Sequence, residues 1–279
     1  MADIYNPRGY LRPVTRFARR HVKRLLRDAD YAFFQKLVRQ FGRWPRYQPG
    51  SFDYLGRRVE FVDAASLLTA WDEIFLNRIY DIGPQTEPYL CDAGANIGLT
   101  ELYFQVHYGK FSGVCFEPDP GVFAVLQRNL RAWGCDVEAR PEAVGARDGE
   151  AEFKSEGADA GQLVADGAGS HRVKITRLSP WLNRRISLLK IDIEGAEVEV
   201  MEDCAGQFGQ VAALFVEFHS YPGRAQNLWK LLRVIEEAGF RVYPQEVASQ
   251  TQMFAKAERK TIGAFDLNLN IFAIRPPHQ

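Results

Sequence analysis

The chain has 279 residues, 46% of them hydrophobic and 25% charged, and its 35 basic residues balance its 35 acidic residues. This length and apolar content allow one sizeable core, which excludes a wholly disordered chain. Cys91, Cys115, Cys135 and Cys204 form no CxxC pair, so we expect reduced thiols and no structural zinc site. The sequence has no apolar run of about 18 residues and no secretion signal, so we expect a cytoplasmic protein without a membrane span.

The charge is distributed unevenly along the sequence. Residues 1–50 hold 12 Lys and Arg against 3 Asp, a net charge of about +9, which leaves about −9 for residues 51–279. From Leu11 to Leu26, apolar residues recur at helical spacing with basic residues between them, a pattern that predicts an amphipathic basic helix. We therefore divide the chain into a basic helical N-terminal extension, residues 1–50, and a main domain, residues 51–279.

Three kinds of partner suit such a helix. Its apolar stripe can dock on the acidic main domain or on another subunit, which makes an oligomer one alternative. Its basic face can instead bind anionic lipid, which would place the protein peripherally at the inner membrane surface. Nucleic acid is the least favoured partner, because the aromatic residues of this segment follow helical spacing and do not form a base-stacking platform.

The hydrophobic pattern predicts an alternation of strands and helices after residue 50. Residues 51–54 and 58–62 flank a short turn and resemble a hairpin, and a helix is predicted over 66–80. Further strands are predicted at 89–92, 113–117, 136–139, 188–193, 212–218, 241–243 and 267–274. Further helices are predicted at 100–108, 120–133, 198–204 and 225–238, and a loop at 158–170. This alternation is typical of an α/β fold with a mostly parallel sheet and helices on both faces.

A glycine-rich turn follows the strand predicted at 89–92. Gly94 and Gly98 bracket it, and their missing Cβ atoms allow positive φ angles and a close approach of a ligand to the backbone. Glu117 lies 19 residues after Gly98, at the end of the next apolar strand, where a carboxylate can meet ribose hydroxyls. The sequence therefore predicts a ligand that contains adenosine.

Two features favour S-adenosylmethionine over a dinucleotide as that ligand. Asp92 places a carboxylate just before the turn, where it repels a pyrophosphate but suits the ammonium and sulfonium groups of S-adenosylmethionine. The third glycine of a dinucleotide fingerprint is also missing. A dinucleotide site and a glycine turn with a purely structural role remain the alternatives.

Acidic residues and a histidine lie at the ends of two later strands. Asp192 and Glu194 are two residues apart, as are Glu217 and His219, so in extended strands each pair points to one side of the sheet. If the strands are neighbours, the four side chains converge where α/β sheets bind ligands. We assign Glu194 as a general base, with Asp192 and His219 in the same catalytic group. The sequence also offers a ligand set for Mg²⁺ or Mn²⁺, consisting of Asp192, Glu217 and His219.

Ordinary structural roles are the alternatives for each of these residues. Glu194 and Glu197 precede the helix predicted at 198–204 and can cap it. His219 can satisfy a neighbouring loop, and Lys190 is expected to form an ion pair with one of the carboxylates. Residues farther along can line an acceptor pocket, although packing is the more common role for each: Trp181, Tyr221, Arg224 and Trp229.

Three ordered motifs resemble the FkbM-type methyltransferase family, over about residues 51–275. They are Asp-x-Gly-Ala-Asn-x-Gly, Glu-Pro and Lys-Ile-Asp-x-Glu-Gly-x-Glu, which stand here at residues 92–98, 117–118 and 190–197. The resemblance implies a Rossmann-like fold with a seven-stranded, mostly parallel sheet whose last strand is antiparallel. It also implies S-adenosylmethionine as the cofactor.

The resemblance further implies roles for individual residues. Glu117 is expected to hold both ribose hydroxyls, and Glu142 and Ala143 stand in the segment that usually flanks the adenine. The methionine part of the cofactor is expected to be surrounded by residues of the glycine-rich turn: Asp92, Gly94, Asn96 and Gly98. By looser analogy with metal-dependent sugar O-methyltransferases, the pair at residues 192 and 194 stands where a metal-binding Asp and a catalytic Asp are found.

The sequence as a whole predicts an S-adenosylmethionine-dependent O-methyltransferase. The family largely modifies hydroxyl groups of sugars and natural products, so the expected acceptor is a sugar hydroxyl in a glycan, a glycolipid or a glycosylated metabolite. Two alternatives belong to other classes: a cofactor-binding interaction module without turnover, and an NAD-dependent dehydrogenase.

Overall fold

The computed structural model describes residues 28–155, 161–164, 169, 171–249 and 265–276. The amphipathic basic helix predicted between Leu11 and Leu26 therefore lies outside the described residues. Within them, the chain forms a central sheet with helices on both faces, an N-terminal helix and hairpin, and a smaller mixed sheet. The α/β fold class predicted from the sequence is confirmed.

The helices and strands follow one another along the chain with short connections. In chain order they are α1 (Ala29–Phe41), β1 (Gly50–Tyr54), β2 (Arg57–Phe61), α2 (Ala64–Trp71), β3 (Tyr89–Ala93), α3 (Leu99–Tyr108), β4 (Ser112–Phe116), α4 (Pro120–Trp133), β5 (Asp136–Arg140), β6 (Glu142–Gly145), β7 (Gly149–Lys154), β8 (Gln162–Val164), β9 (His171–Arg177), β10 (Ile186–Ile191), α5 (Glu197–Asp203), β11 (Val211–Ser220), α6 (Leu228–Glu237), β12 (Arg241–Ser249) and β13 (Leu267–Ile274). A π-helical turn, Asp72–Leu76, continues α2.

Seven strands of the described residues form the central sheet, in the order β12-β13-β11-β10-β3-β4-β5. The strands from β5 to β11 pair in parallel, and β13 pairs antiparallel with both β11 and β12. This is the Rossmann-like arrangement that the resemblance implies, with the last strand antiparallel. Because the strand order reverses between β3 and β10, their carboxyl ends flank the crevice in which sheets of this kind bind ligands.

The central strands are buried on both faces, and their side chains alternate between two cores. In β3, Leu90 joins the core beneath α1, α2 and α3, whereas Cys91 and Ala93 join the core beneath α5 and α6. Leu188 and Leu189 of β10 divide in the same way. The two cores hold β3 and β10 side by side, and so position the loops that follow them.

The N-terminal part of the described chain packs into the same core as the sheet. Leu37 and Phe41 of α1 are buried in the cluster that contains Leu90, and the predicted hairpin, β1 with β2, is confirmed. The helix predicted over 66–80 ends earlier, because α2 stops at Trp71 and gives way to the π-helical turn. Trp71 and Phe75 stack with ring centroids 4.1 Å apart, and the wider turn keeps both rings in the core.

The described residues also form a second sheet, which the sequence pattern does not predict. Its four strands lie in the order β6-β9-β7-β8, and β8 falls within the loop predicted at 158–170, so that prediction is wrong for Gln162–Val164. In β7 and β9 most side chains are polar, with Phe153 and Val173 as the buried ones. Their hydrophobic alternation is therefore too weak to identify them as strands.

The cysteines agree with the prediction of reduced thiols. None of the four forms a disulfide, and Cys91, Cys115 and Cys204 are buried. Within the described ranges, no helix combines the length and the apolar character needed to cross a lipid bilayer.

Candidate active site

A cavity of about 400 Å³ opens at the carboxyl ends of β3 and β10, where the strand order places a ligand site. Small-molecule and cofactor sites usually measure roughly 300–1,000 Å³. The loops after β3, β4 and β10 line the cavity together with the last residues of β11, and α2 with the π-helical turn lines another side. The cavity therefore collects residues from both halves of the sheet.

Gly94 brings the loops after β3 and β10 into backbone contact. Its φ angle is +91°, and a Cβ atom at this position would lie 1.8 Å from the carbonyl oxygen of Asp192. Only glycine fits where the two loops meet. The contact places the predicted cofactor turn directly beside the acidic residues predicted to carry out chemistry.

Asn96 and Gly98 shape the same turn through positive φ angles of 49° and 87°. The amide of Asn96 donates to Oε2 of Glu117 at 3.0 Å, and Asn96 lines the cavity. Gly98 is the N-cap of α3 and lies against Leu126, but it is not among the residues that line the cavity. Gly98 therefore helps to form the turn without lining the cavity.

Glu117 follows β4 and lies in the cavity wall with 7% of its surface exposed. Its carboxylate oxygens accept hydrogen bonds from the amides of Asn96 and Asp119, at 3.0 and 2.8 Å. Burial raises the pKa of Glu117 to about 7, although the two amides act in the opposite direction. Each oxygen keeps a lone pair for a hydroxyl donor, and the role of Glu117 at a ribose stays a prediction.

Asp92 and Lys190 form a buried ion pair behind the cavity wall. Oδ1 of Asp92, a residue with 0% exposure, accepts from Nζ of Lys190 at 3.0 Å. Nζ also donates to the carbonyl oxygen of Gly94 at 2.7 Å and lies 3.5 Å from Oδ2 of Asp192. Lys190 lines the cavity, whereas Asp92 is not among the lining residues. The ion pair predicted between Lys190 and a carboxylate of the later strand ends is confirmed at Asp192. Asp92, which the sequence predicts to contact the ligand, is instead paired with Lys190 and does not line the cavity.

Glu142 and Ala143 begin β6 and line the cavity together with Phe153 of β7. Oε1 of Glu142 accepts from Arg140 at 2.7 Å and from Lys174 at 3.0 Å. Burial opposes ionisation of Glu142, but these hydrogen bonds lower its pKa overall. Oε2 is buried and has no hydrogen-bond partner within the described part of the chain. Such an unpaired acceptor fits a donor such as the amino group of an adenine.

These features together fit S-adenosylmethionine. Glu142 offers an acceptor for the adenine, Glu117 offers two oxygens for the ribose, and the turn at Gly94 leaves the backbone open to the methionine part. The carboxylates of Asp192 and Glu194, which line the cavity beyond this turn, suit the positive charge of a sulfonium group.

Asp192 and Glu194 meet at the cavity through a turn. The prediction that strand alternation aligns them is wrong, because β10 ends at Ile191 and Glu194 has a left-handed φ of +59°. Oε2 of Glu194 accepts a hydrogen bond from the hydroxyl of Tyr221 at 2.9 Å, which holds the side chain in this position. A left-handed residue other than glycine costs conformational free energy, and such residues cluster at functional sites.

His219 lies among three carboxylates on the face of β11 that it shares with Glu217. Nδ1 is 3.2 Å from Oε1 of Glu197, and Nε2 is 3.5 Å from Oε1 of Glu217 and 3.6 Å from Oε1 of Glu194. Burial disfavours the charged ring, but the hydrogen bonds to Glu197 and Glu217 and the charge of Glu194 raise the pKa of His219 well above its usual value. The surrounding carboxylates therefore favour the protonated, positively charged form of the ring. Glu197 also accepts from the amide of Gly195 at 2.9 Å, so it both closes this turn and holds the histidine.

The four side chains predicted from β10 and β11 do converge, but their grouping differs from the predicted metal set. That set was Asp192, Glu217 and His219, whereas the ligand atoms that lie within 4.8 Å of one another belong to Asp192, Glu194 and His219. Glu217 instead accepts from Nδ2 of Asn268 at 2.6 Å. Two hard oxygen donors and a neutral imidazole fit Mg²⁺ or Mn²⁺, so an ion bound here would have to displace the ring proton of His219. Metal binding remains a prediction.

Part of the cavity is lined by residues that the sequence did not identify. These are Tyr80, before β3, and Phe265 and Asn268, near the start of β13. They belong to no glycine or acidic pattern, so no local signal marks them. The residues suggested for an acceptor pocket are not among the lining residues: Trp181, Tyr221, Arg224 and Trp229. Trp181 instead packs against Phe116, with ring centroids 5.4 Å apart.

Comparisons with known proteins identify a family and relatives of this chain. A family model described as the methyltransferase FkbM domain matches residues 92–242, just over half of the chain. Methyltransferase 1 of Beauveria bassiana is 30% identical over 158 residues, which cover 46% of this chain and 64% of the relative. Methyltransferase sdnD of Sordaria araneosa is 31% identical over 173 residues, which cover 47% of this chain and 66% of the relative. The chain thus spans slightly less than two thirds of the length of these curated relatives.

Solved structures are similar at a greater distance. An S-adenosylmethionine-dependent O-methyltransferase of Thermotoga maritima aligns with a TM-score of 0.42 and 12% identity, over 75% of this chain and 66% of that chain. At this distance the similarity carries no information about substrate or activity. The family model, the three sequence motifs and the cavity that they surround agree, and the chain belongs to the FkbM family of S-adenosylmethionine-dependent methyltransferases.

Proposed function

We propose that the protein transfers a methyl group from S-adenosylmethionine to a hydroxyl group of a sugar in a glycan, a glycolipid or a glycosylated metabolite. The observation that carries the proposal is the position of Glu194, which a left-handed turn and Tyr221 hold at the cavity wall. A hydroxyl is a weak nucleophile until its proton is removed. Burial raises the pKa of Glu194 to about 7, although His219 and Tyr221 act in the opposite direction, and this value suits a general base.

When bound, the cofactor supplies a methyl group on a positively charged sulfur. In the proposed reaction the hydroxyl oxygen bonds to the methyl carbon as the carbon–sulfur bond breaks, its electron pair stays with sulfur, and the hydroxyl proton passes to Glu194. Tyr221 occupies Oε2, which leaves Oε1 on the side of His219 to receive the proton. The cationic ring of His219 stabilises the carboxylate until the proton arrives.

Replacement of Glu194 tests this proposal. Transfer is followed as S-adenosylhomocysteine released by the full-length protein with hydroxylated acceptors, and the product is identified by NMR as a methyl ether. We expect Glu194→Gln to lower kcat by about 10²- to 10⁴-fold, the usual contribution of a general base. Glu199→Gln is the matched control, because Glu199 lies exposed in α5 outside the cavity. Methylation of nitrogen or carbon alone, or full activity of Glu194→Gln, contradicts the proposal.

A divalent cation is a second way to activate the hydroxyl. Asp192, Glu194 and His219 would hold Mg²⁺ or Mn²⁺, whose charge would lower the pKa of the acceptor hydroxyl. Exhaustive chelation provides the test. Loss of transfer that returns with either ion supports the metal, whereas full transfer after chelation, with Glu194→Gln still inactive, leaves the base alone.

Ligand binding separates the proposal from the two alternatives. S-adenosylhomocysteine at 100 times its Kd should add about 2.7 kcal/mol to the free energy of unfolding, seen as a rise in Tm. NAD and NADP should leave the Tm unchanged. Stabilisation by NAD alone favours a dehydrogenase, and binding of S-adenosylhomocysteine without transfer to any acceptor favours an interaction module.

The charge of residues 1–50 supports a proposal about location, namely that the protein binds an anionic membrane surface. An excess of about nine positive charges attracts acidic lipid, and salt weakens this attraction. Sedimentation with liposomes should therefore carry down the protein with anionic lipid at low salt and release it at high salt. Equal binding to neutral liposomes contradicts an electrostatic attachment.

A further inference from the structure

Asn268 lies beside the catalytic cluster but outside residues 92–242, which the family model matches. It stands in β13 directly opposite His219 of β11 in the antiparallel register, so the two side chains share one face of the sheet. It is 5% exposed and lines the cavity. A chain of contacts of 2.6, 3.5 and 3.6 Å runs from Asn268 through Glu217 and His219 to Glu194. Asn268 is thus a close neighbour of the proposed base.

The hydrogen bond to Glu217 determines the orientation of the Asn268 amide. Nδ2 lies 2.6 Å from Oε1 of Glu217, and an ionised carboxylate can only accept. The amide nitrogen therefore faces Glu217, and Oδ1 is directed elsewhere.

Oδ1 of Asn268 is buried and has no hydrogen-bond partner in the described structure. A buried amide oxygen without a donor costs free energy, and such groups in native proteins commonly have a functional explanation. Asp192 and Glu194 also line the cavity with acceptor oxygens, and Lys190 and His219 line it with positively charged groups. A molecule that binds against Asn268 must therefore bring a donor for Oδ1.

We propose that Oδ1 of Asn268 binds a second hydroxyl group of the acceptor, adjacent to the one that Glu194 deprotonates, and so selects acceptors with neighbouring hydroxyls. This inference rests on the transfer to a hydroxyl proposed above. The second hydroxyl donates to Oδ1, which orients the first toward Glu194. Phe265 adds an apolar surface for the ring that carries both hydroxyls, since it lines the cavity with its centroid 5.5 Å from that of His219.

The test compares each acceptor with its own deoxy derivative. The acceptors are methyl hexopyranosides and their monodeoxy derivatives, assayed with the full chain and S-adenosylmethionine. In the wild type, removal of the neighbouring hydroxyl should lower kcat/KM by about tenfold or more. In Asn268→Ala the difference should shrink to less than about twofold, because the protein partner of that hydroxyl is gone. The ratio within one variant does not depend on the fraction of protein that is folded.

Asn270→Ala is the matched control. Asn270 is also buried in β13, opposite Glu217, and its Oδ1 has no partner among the described residues, but it is not one of the residues that line the cavity. The Asn270→Ala variant should keep the wild-type preference for the complete glycoside over its deoxy derivative. A purely structural role of Asn268 would change the rate with every acceptor alike and leave this preference in place.

The outcomes distinguish the inference from the proposed function. Transfer with equal kcat/KM for glycosides and their deoxy derivatives overturns the inference and leaves the proposed function intact. Absence of transfer to every glycoside overturns the proposed function, and saturation-transfer NMR on the S-adenosylhomocysteine complex then decides the inference. The inference is supported if the complete glycosides bind better than their deoxy derivatives only when Asn268 is present. It is overturned if binding is absent or independent of Asn268.

Discussion

Oε1 of Glu197 lies 3.2 Å from Nδ1 of His219, although Glu197 begins α5 and His219 lies near the end of β11. Both side chains are almost fully buried. The contact determines which ring nitrogen faces the cavity, because Nε2 is left toward Glu194 and Glu217. A carboxylate expected to cap a helix therefore orients the histidine beside the proposed base.

Glu197→Gln should lower kcat more than it raises KM. Glutamine keeps the length of the side chain and an acceptor oxygen, but it removes a negative charge that keeps His219 protonated. We expect a loss of about 10- to 100-fold in kcat, the range for residues that orient a functional histidine. Initial rates between pH 6 and 9 measure it, with Glu199→Gln in the same helix as the control. A variant with the wild-type rate and pH profile would show that the contact is not needed.

Gly94→Ala should destabilise the protein much more than Gly206→Ala. Both glycines have positive φ angles, +91° and +80°, so both variants bear the cost of a left-handed alanine, about 1–2 kcal/mol. The new Cβ at Gly94 would lie 1.8 Å from the carbonyl oxygen of Asp192, whereas nothing lies within 4 Å at Gly206. Urea unfolding should therefore show a loss of more than about 3 kcal/mol for Gly94→Ala alone. Equal losses for the two variants would exclude the contact as the cause.

Binding of S-adenosylhomocysteine should strengthen as the pH rises through about 7. Burial raises the pKa of Glu117 to about 7, so at lower pH the side chain is largely protonated and offers weaker acceptors to ribose hydroxyls. Titration calorimetry at pH 6, 7 and 8 should show the Kd falling, and Glu117→Gln should flatten this dependence. A wild-type Kd that does not change with pH contradicts the assignment of Glu117.

The same group should affect folding with the opposite sign. Because the pKa of Glu117 in the folded protein exceeds its ordinary value of 4.5, the folded state binds the extra proton between about pH 4.5 and 7. This contribution to stability is complete below that window and is lost as the pH rises through it. Urea unfolding of the wild type and Glu117→Gln should therefore differ in slope against pH within this window and run parallel above it.

Lys190→Met should cost about 3–5 kcal/mol of stability, the usual effect of leaving one partner of a buried ion pair alone. The partner left unpaired is Asp92, which has 0% exposure, and addition of Asp92→Asn should recover part of the loss. Lys110→Met is the control, because Lys110 and Glu87 form an equally close pair with side chains 80% and 59% exposed. It should cause no measurable loss. Strict additivity of the Lys190 and Asp92 changes would contradict the pair.

The centre of the sheet could be predicted because β3, β4 and β10 are short, mainly apolar runs followed by a glycine or an acidic residue. The positive φ angle at Gly94 could also be predicted, since no other residue adopts that conformation as readily. The left-handed conformation of Glu194 could not be predicted, because glutamate does not favour positive φ angles as glycine does. The strands β7 and β9 were missed for a different reason, since each offers mainly polar side chains around Phe153 or Val173.

The motifs located the candidate site but not the contacts within it. Asp92 and Lys190 belong to two motifs 98 positions apart, and only the parallel pairing of β3 with β10 places the lysine over the carboxylate. Asn268 reaches Glu217 across 51 positions through the antiparallel register of β13. Such a register depends on the packing of the whole sheet, so local spacing does not reveal it.

Residues on both sides of the segment that the family model matches contribute to the cavity wall. Tyr80 and the residues of α2 come before position 92, and Asn268 comes after position 242. A protein trimmed to the matched segment would keep Glu117 and Glu142 but lose the part of the cavity wall that these flanking residues form. Efforts to change which acceptors the protein uses should therefore begin with these flanking segments. The segments should be exchanged as a set between related enzymes, while the segment that the family model matches is left unchanged.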